Sequence, residues 1–338
     1  MATPMSWGTY LPMLLRSQFL RSIPYPTTSF AGQTVIVTGS NTGLGLEAAR
    51  HIVRLGAAKV ILAVRTISKG EAAAANILKS TNATKNTIEV WPLDLSRSSS
   101  IKEFAVKAAR LDRLDALVQN AGILTQRFGL VEGNEAHIGV NVVGAVMLGL
   151  LILPKLKETS KRFHVRTRLS FVGSDMQYVA QFKEARTTGS LFDALNREEE
   201  ANMGDRYATS KLLLLYAVRE MAARSPPTPG SDVIINFMTP GACKSDLFRD
   251  DLSWVFFMVQ RIMMAIFART TEVGGRTLTD AVRPDLSNEA HGAFLMDCRV
   301  VPNGSSVESA KGQLLQQRFN KELFARLEAI SPRVTKIL

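Results

Sequence analysis

Hydrophobic and polar positions along the chain fall into a strand-then-helix rhythm. Residues 33–38 (QTVIVT) are a short β-branched run, followed by a turn holding Gly39, Gly43 and Gly45. An apolar stripe at helical spacing comes next, Leu46, Ala49, Ile52 and Val53, and it stops at Gly56, a residue suited to a C-cap. Residues 60–64 are apolar without alternation, as a strand covered on both faces would be. The same reading predicts helices over 71–78, 98–110, 135–157 and from Asp205 to about Ala223. It predicts strands over 87–92, 114–118, 168–172 and 233–237, with a seventh near 293–296. This alternation calls for an α/β fold of the Rossmann type. Its single doubly wound parallel sheet of about seven strands has helices on both faces and right-handed crossovers.

Two segments break the rhythm. Residues 175–204 are too long for a simple connection and form an insertion. Residues 242–276 are rich in Met, Phe and Trp and contain an apolar stretch, 252–268, that we expect to be a helical lid over a pocket; a membrane-dipping helix is the alternative. The main domain then spans 31–300, with an extension on each side. In the N-terminal one, 1–30, Trp7, Tyr10, Leu11, Leu14, Leu15 and Phe19 fit one apolar helix face, expected to pack on the body of the protein rather than rest on a membrane surface. In the C-terminal one, 301–338, a helix carries Leu315, Phe319, Leu323 and Leu327 on one face, to be packed inward or against a second copy in a homo-oligomer.

Composition narrows the picture. An apolar share of 46% is that of a globular protein. Cys243 and Cys298 provide neither a disulfide framework nor metal-ligand spacing, which fits a reducing compartment. No secretory leader pattern is visible, so the expected location is the cytoplasm, with attachment to a membrane as the alternative. The formal charge is +11, but the Lys and Arg are scattered. That distribution argues against nucleic acid and favours an anionic cofactor.

The candidate chemistry starts at the first turn, Thr38-Gly39-Ser40-Asn41-Thr42-Gly43-Leu44-Gly45. Glycines between a strand and a helix let backbone approach a pyrophosphate, and the helix N-terminus offers free N–H groups. At the end of the second strand, where NAD-binding folds place an acid for the ribose hydroxyls, this chain has Arg65 and then Lys69. Two cations there suit the extra phosphate of NADP. Asp94, past the third strand, is either an acceptor for the adenine amino group or a plain turn acid. Tyr207 and Lys211 sit four apart on one predicted helix, hence on one face. A lysine cation beside a phenol lowers its pKa and makes it a proton donor or acceptor near neutral pH; an ordinary amphipathic helix would show the same spacing.

The motifs TGSNTGLG (38–45), DL (94–95), NAG (120–122), Asn141, Ser174, YATSK (207–211) and PG (240–241) occur in an order that resembles the short-chain dehydrogenase/reductase family. The resemblance implies an oxidoreductase with NADP(H) as cofactor and no metal. It implies Tyr207 as general acid or base, Ser174 as a donor to the substrate oxygen, and Lys211 as the residue that lowers the tyrosine pKa and holds the nicotinamide ribose. Asn141 would keep a proton-relaying water chain. Gly39, Ser40, Asn41, Gly43, Leu44 and Gly45 would line the pyrophosphate, Asn120, Ala121 and Gly122 the adenine ribose, and Ser245 the nicotinamide carboxamide. The long interval between Ser174 and Tyr207 departs from most of the family. It looks like the retinol-dehydrogenase-like branch and related fungal reductases of secondary metabolism, which implies a hydrophobic small-molecule substrate.

Overall fold

The computed structural model describes residues 3–244 and 268–338. Ser245 and nearly all of the 252–268 stretch lie outside the described residues, and so does most of the expected lid. In chain order the elements are α1 (Trp7–Leu20), β1 (Thr34–Thr38), α2 (Gly43–Arg54), β2 (Lys59–Val64), α3 (Ile67–Thr81), β3 (Ile88–Pro92), α4 (Ser98–Ala109) and β4 (Ala116–Gln119). A small hairpin follows, β5 (Leu130–Val131) and β6 (Asn134–Glu135), then a π-helical turn, Ile138–Gly144, that runs into α5 (Ala145–Phe163). Next come β7 (Thr167–Val172), α6 (Leu191–Leu195), α7 (Met203–Arg224) and β8 (Val233–Thr239). The chain closes with α8 (Thr271–Asp280), β9 (Phe294–Met296), β10 (Arg299–Val301), α9 (Ser305–Glu308) and α10 (Ala310–Ile330).

Among the described residues the main sheet runs β10-β9-β8-β7-β4-β1-β2-β3. All its pairs are parallel except β9 with β10. The sheet is therefore the expected Rossmann-type one with an eighth, antiparallel strand added at one edge. The turn into β10 is Asp297-Cys298, both with positive φ (53° and 59°). Tight hairpins favour that geometry but normally signal it with Asn-Gly or Asp-Gly, so this turn was silent in the sequence.

Successive strand residues feed opposite layers. Ile36 joins the layer formed with α4, α5 and α7, where Leu153, Phe171, Leu213 and Phe237 are buried. Val35 and Val37 join the layer with α2, α3 and α8, where Ile52, Ile77 and Leu278 are buried. The one described helix long and apolar enough to cross a membrane is Ile138–Phe163, and 89% of its apolar window is buried inside the protein. It is the central core helix.

Both extensions pack inward. On α1 the expected single face is split in two: Tyr10 and Ser17 are buried and Met13 and Leu14 half-buried, whereas Trp7, Leu11, Leu15 and Phe19 are exposed. Hydrogen bonding decides the split, because the Tyr10 hydroxyl donates to Asp175 and the Ser17 hydroxyl to Asp297. Apolar spacing alone does not register such bonds. The 175–204 segment is also tied down. Leu191, Phe192 and Leu195 are buried, Phe192 stacks on Phe319 of α10 (5.7 Å, 12°), and Glu322 of α10 accepts from the Leu191 N–H (2.8 Å). Phe319, Leu323 and Leu327 therefore face the chain's own core.

Gly173, at the end of β7, has no room for a methyl group: a Cβ there would lie 1.8 Å from Cζ of Phe237. Gly43 meets nothing within 4 Å and carries only a left-handed φ of +58°. In urea unfolding, Gly173→Ala is expected to lose about 3 kcal/mol or more through overpacking. Gly43→Ala is expected to lose clearly less, about 1–2 kcal/mol. Equal losses would contradict this packing.

Candidate active site

The strand order reverses between β1 and β4, so the connections leave in opposite directions and open a crevice at the C-terminal strand ends. A cleft of about 1160 Å³ occupies it. Gly39, Asn41, Gly43 and Leu44 form one wall, and Ser174, Tyr207 and Lys211 the other. The glycines of the first turn answer different needs. A Cβ at Gly45 would sit 2.5 Å from the Asn120 amide and 2.7 Å from the Gly39 carbonyl, so Gly45 permits close packing of the turn. Gly39 (φ +64°) and Gly43 supply left-handed backbone, and beside Gly43 the space is open for a ligand. Ser40, expected on the pyrophosphate side, is fully buried and donates its hydroxyl to the Val37 carbonyl (2.8 Å). Its side chain faces the core because it closes the end of β1.

Arg65 and Lys69 are exposed and line the cleft, and neither makes an ion pair among the described residues. Asp94 also lines it. One of its carboxylate oxygens accepts from the Ser96 N–H (3.0 Å) and hydroxyl (2.7 Å), so it closes the turn after β3. Ala121 and Gly122 reach the cleft wall beside Asn120, whose amide is committed to the Thr38 and Gly39 carbonyls.

The tyrosine lies in the first turns of α7, and the serine is the second residue past the β7 end, capping a 3₁₀ turn, Asp175–Tyr178. Despite the long interval between them, Ser174 and Tyr207 both line the same cleft. Lys211 is buried, donates to the Val172 carbonyl (2.8 Å), and holds Nζ 5.6 Å from the centroid of the Tyr207 ring. Burial lowers its pKa to about 8. The phenol does not follow the expected direction: Tyr207 is pushed well above its ordinary value, first by burial and then by the Asp175 carboxylate, with the nearby Ser174 hydroxyl opposing. Desolvation dominates, and Lys211 is not among the groups that move the phenol. Asn141 sits in the π-helical turn, behind the cleft wall, with its amide fully used: Oδ1 accepts from the Ile123 N–H (2.8 Å), and Nδ2 donates to the Ile123 carbonyl (3.0 Å) and Ser210 (3.2 Å).

Several residues at the site had no signal of their own in the sequence. Asp175 is buried directly beneath Ser174, and Tyr10 reaches it from α1. Thr239, at the end of β8, accepts from the Asp175 N–H (3.2 Å). A buried charge network supports Tyr207 from below. His137 bonds Glu135 (2.8 Å), and Arg206 pairs with Glu184 (2.9 Å) and approaches Glu135 (3.8 Å). His137 Nε2 accepts from the Thr125 N–H, which places the ring proton on Nδ1, and the ring meets Tyr207 edge-on at 6.4 Å. Only the adjacency of Asp175 to Ser174 was visible in the chain; the other partners are brought together by the fold.

Comparison with known proteins agrees with this geometry. Residues 33–164 match the short chain dehydrogenase family model. A short chain dehydrogenase/reductase of Cryptosporiopsis sp. is 39% identical over 95% of this chain and 98% of its own length. A short chain dehydrogenase of Emericella nidulans is 43% identical over 86% of this chain and 91% of its own. Among solved structures, a protein of Mycobacterium paratuberculosis aligns with a TM-score of 0.64 at 26% identity, covering 90% of this chain and 95% of that one. A Shigella flexneri short chain dehydrogenase complexed with NADP shares the fold, with a TM-score of 0.54 at 20% identity, over 79% of this chain and 98% of that one. The chain belongs to the short-chain dehydrogenase/reductase family of oxidoreductases, with fungal members among its relatives.

A lysine whose folded pKa lies below its unfolded value disfavours folding while it is charged. For Lys211 that penalty is present below about pH 8 and is relieved as the pH climbs towards the ordinary value of 10.5. Lys211→Met is therefore expected to gain stability relative to the wild type most at neutral pH. The difference, read from urea midpoints, is expected to shrink between pH 8 and 10. A difference independent of pH would mean that Lys211 is not desolvated.

Proposed function

We propose that the protein is an NADP(H)-dependent reductase that converts the carbonyl of a hydrophobic small molecule to an alcohol. The observation that carries the reading is that Ser174 and Tyr207 line the cleft together with the glycine turn, with Lys211 buried beside the tyrosine ring. The residues fit the cofactor. Open space beside Gly43, at the N-terminus of α2, suits a pyrophosphate, and Arg65 and Lys69, without an ion pair among the described residues, suit a 2′-phosphate better than a bare ribose diol. Bound there, the nicotinamide supplies the hydride.

The protein supplies the proton. Because burial holds the Tyr207 phenol protonated, it is in the form that donates to a carbonyl oxygen as negative charge arrives on it. Ser174 is the second donor to that oxygen, and two donors at one developing charge lower the barrier. Lys211 holds the ribose and gives Tyr207 a neighbouring cation below about pH 8. Asn141 fixes the Ile123 carbonyl, which can anchor a water on the route to solvent. Leu124 and Met176 on the cleft wall, with the Met, Phe and Trp of the 252–268 sequence, support an apolar substrate. The fungal relatives support a place in secondary metabolism.

The test follows NADPH absorbance across a panel of ring ketones and aldehydes. Tyr207→Phe is expected to lose about 10²–10⁴-fold in turnover, with NADPH fluorescence titration unchanged. Arg65→Ala combined with Lys69→Ala is expected to do the reverse: kcat is kept, and NADPH binding weakens by roughly tenfold or more while NADH binding does not. A Tyr207→Phe enzyme with wild-type turnover would rule out the mechanism.

A further inference from the structure

We propose that Tyr10, contributed by the N-terminal helix, and Asp175 are positioning residues of the active site. Tyr10 holds the Asp175 carboxylate behind Ser174, and the pair sets how freely the serine hydroxyl turns to the substrate oxygen and how firmly Tyr207 keeps its proton. The inference rests on the assignment of Ser174 and Tyr207 made above.

Asp175 is 5% exposed and no cation pairs with it among the described residues. Hydroxyl groups surround it instead. Oδ2 accepts from Tyr10 at 3.0 Å, and Oδ1 accepts from Thr239 and Ser174, each at 3.4 Å. The last two are long, so Tyr10 is its one side-chain donor at good distance. Ser174 Oγ already accepts from the Met176 N–H (3.2 Å), so its single proton has two destinations, Asp175 or the cleft. A carboxylate satisfied by Tyr10 competes only weakly for that proton and leaves it to the substrate.

Tyr10 is held in place for this task. It is 3% exposed and lies against Met176 Sδ (3.6 Å). Ahead of α1 the Met5 N–H donates to the Tyr178 carbonyl (2.8 Å). Further along α1, Ser17 is bonded to Asp297 and accepts at its carbonyl from Arg269 (2.6 Å). Four acidic hydrogens feel the Asp175 charge: those of Tyr10, of Tyr178 on its own turn, of Tyr207 on α7 and of Cys243 beyond β8. The nearby cations are spent elsewhere, Lys211 on the Val172 carbonyl and Arg269 on Asp297 and Pro240. Burial pushes the Asp175 carboxyl up, and the Tyr10 hydrogen bond is the largest influence that opposes it; while ionised, Asp175 makes a phenolate at Tyr207 costlier and so keeps the acid form ready.

The experiment measures NADPH-dependent reduction of the fastest ketone or aldehyde from the panel, as a function of pH, for the wild type and the variants Tyr10→Phe, Asp175→Asn and Tyr207→Phe. Tyr10→Phe strips one donor and leaves the ring. It is expected to lower kcat about tenfold, the worth of one hydrogen bond, with the KM for NADPH unchanged. Asp175→Asn removes the charge outright and is expected to move the alkaline limb, where the acid form of Tyr207 is lost, to lower pH. Should Tyr10→Phe fail to fold, the limb of Asp175→Asn decides by itself. Tyr207→Phe inactive, with a wild-type kcat in Tyr10→Phe or a wild-type limb in Asp175→Asn, overturns this inference alone; Tyr207→Phe active overturns the reading beneath it.

Discussion

The side-chain amide of Asn120 donates to the Thr38 and Gly39 carbonyls at 2.9 and 3.2 Å, and the Thr38 hydroxyl accepts from the Ala121 N–H at 2.9 Å. These three bonds tie the ends of β1 and β4 at the point where the strand order reverses. The glycine turn can then hug the strand ends, because Gly45 leaves room for the amide that a methyl group would displace. With that turn fixed, the start of α2 faces the cleft and the opposite wall is left to β7 and α7. A pair of strands that separated here would lose the crevice.

The opposite wall is governed by desolvation. Lys211 and Tyr207 are both driven towards their neutral forms, the lysine down to about 8 and the phenol upward. Neither shift helps the stability of the fold. Both suit a group that must hold a proton until charge develops next to it. The buried His137–Glu135 and Arg206–Glu184 contacts beneath α7 keep the phenol's helix in place by hydrogen bonds and charge rather than by apolar packing alone. A buried ionic network is a weak source of net stability. Its clearer effect here is to fix the angle at which Tyr207 meets the cleft.

Much of this was legible in the chain. Unbroken apolar strands, stripes at helical spacing and glycines between them declared a parallel doubly wound sheet, since each pattern reflects a local periodicity that packing must respect. Glycine spacing, the cationic end of β2 and the Tyr207–Lys211 step were legible for the same reason, because each is a feature within a few residues. The edge hairpin at Asp297-Cys298 was not, because its residues lack the usual turn chemistry. The facing of α1 was misread, because two hydrogen bonds to distant carboxylates, and not its apolar count, orient it.

The sequence by itself determined the layers, the order of the motifs and the residue types that any proton transfer here must use. Only the tertiary structure decided which way the Tyr207 pKa moves, that Ser40 faces the core, and that an N-terminal tyrosine stands behind Ser174. The physical reason is range. Periodicity and turn chemistry act between neighbours in the chain, whereas burial and electrostatic coupling depend on what the folded protein brings together from far apart along it.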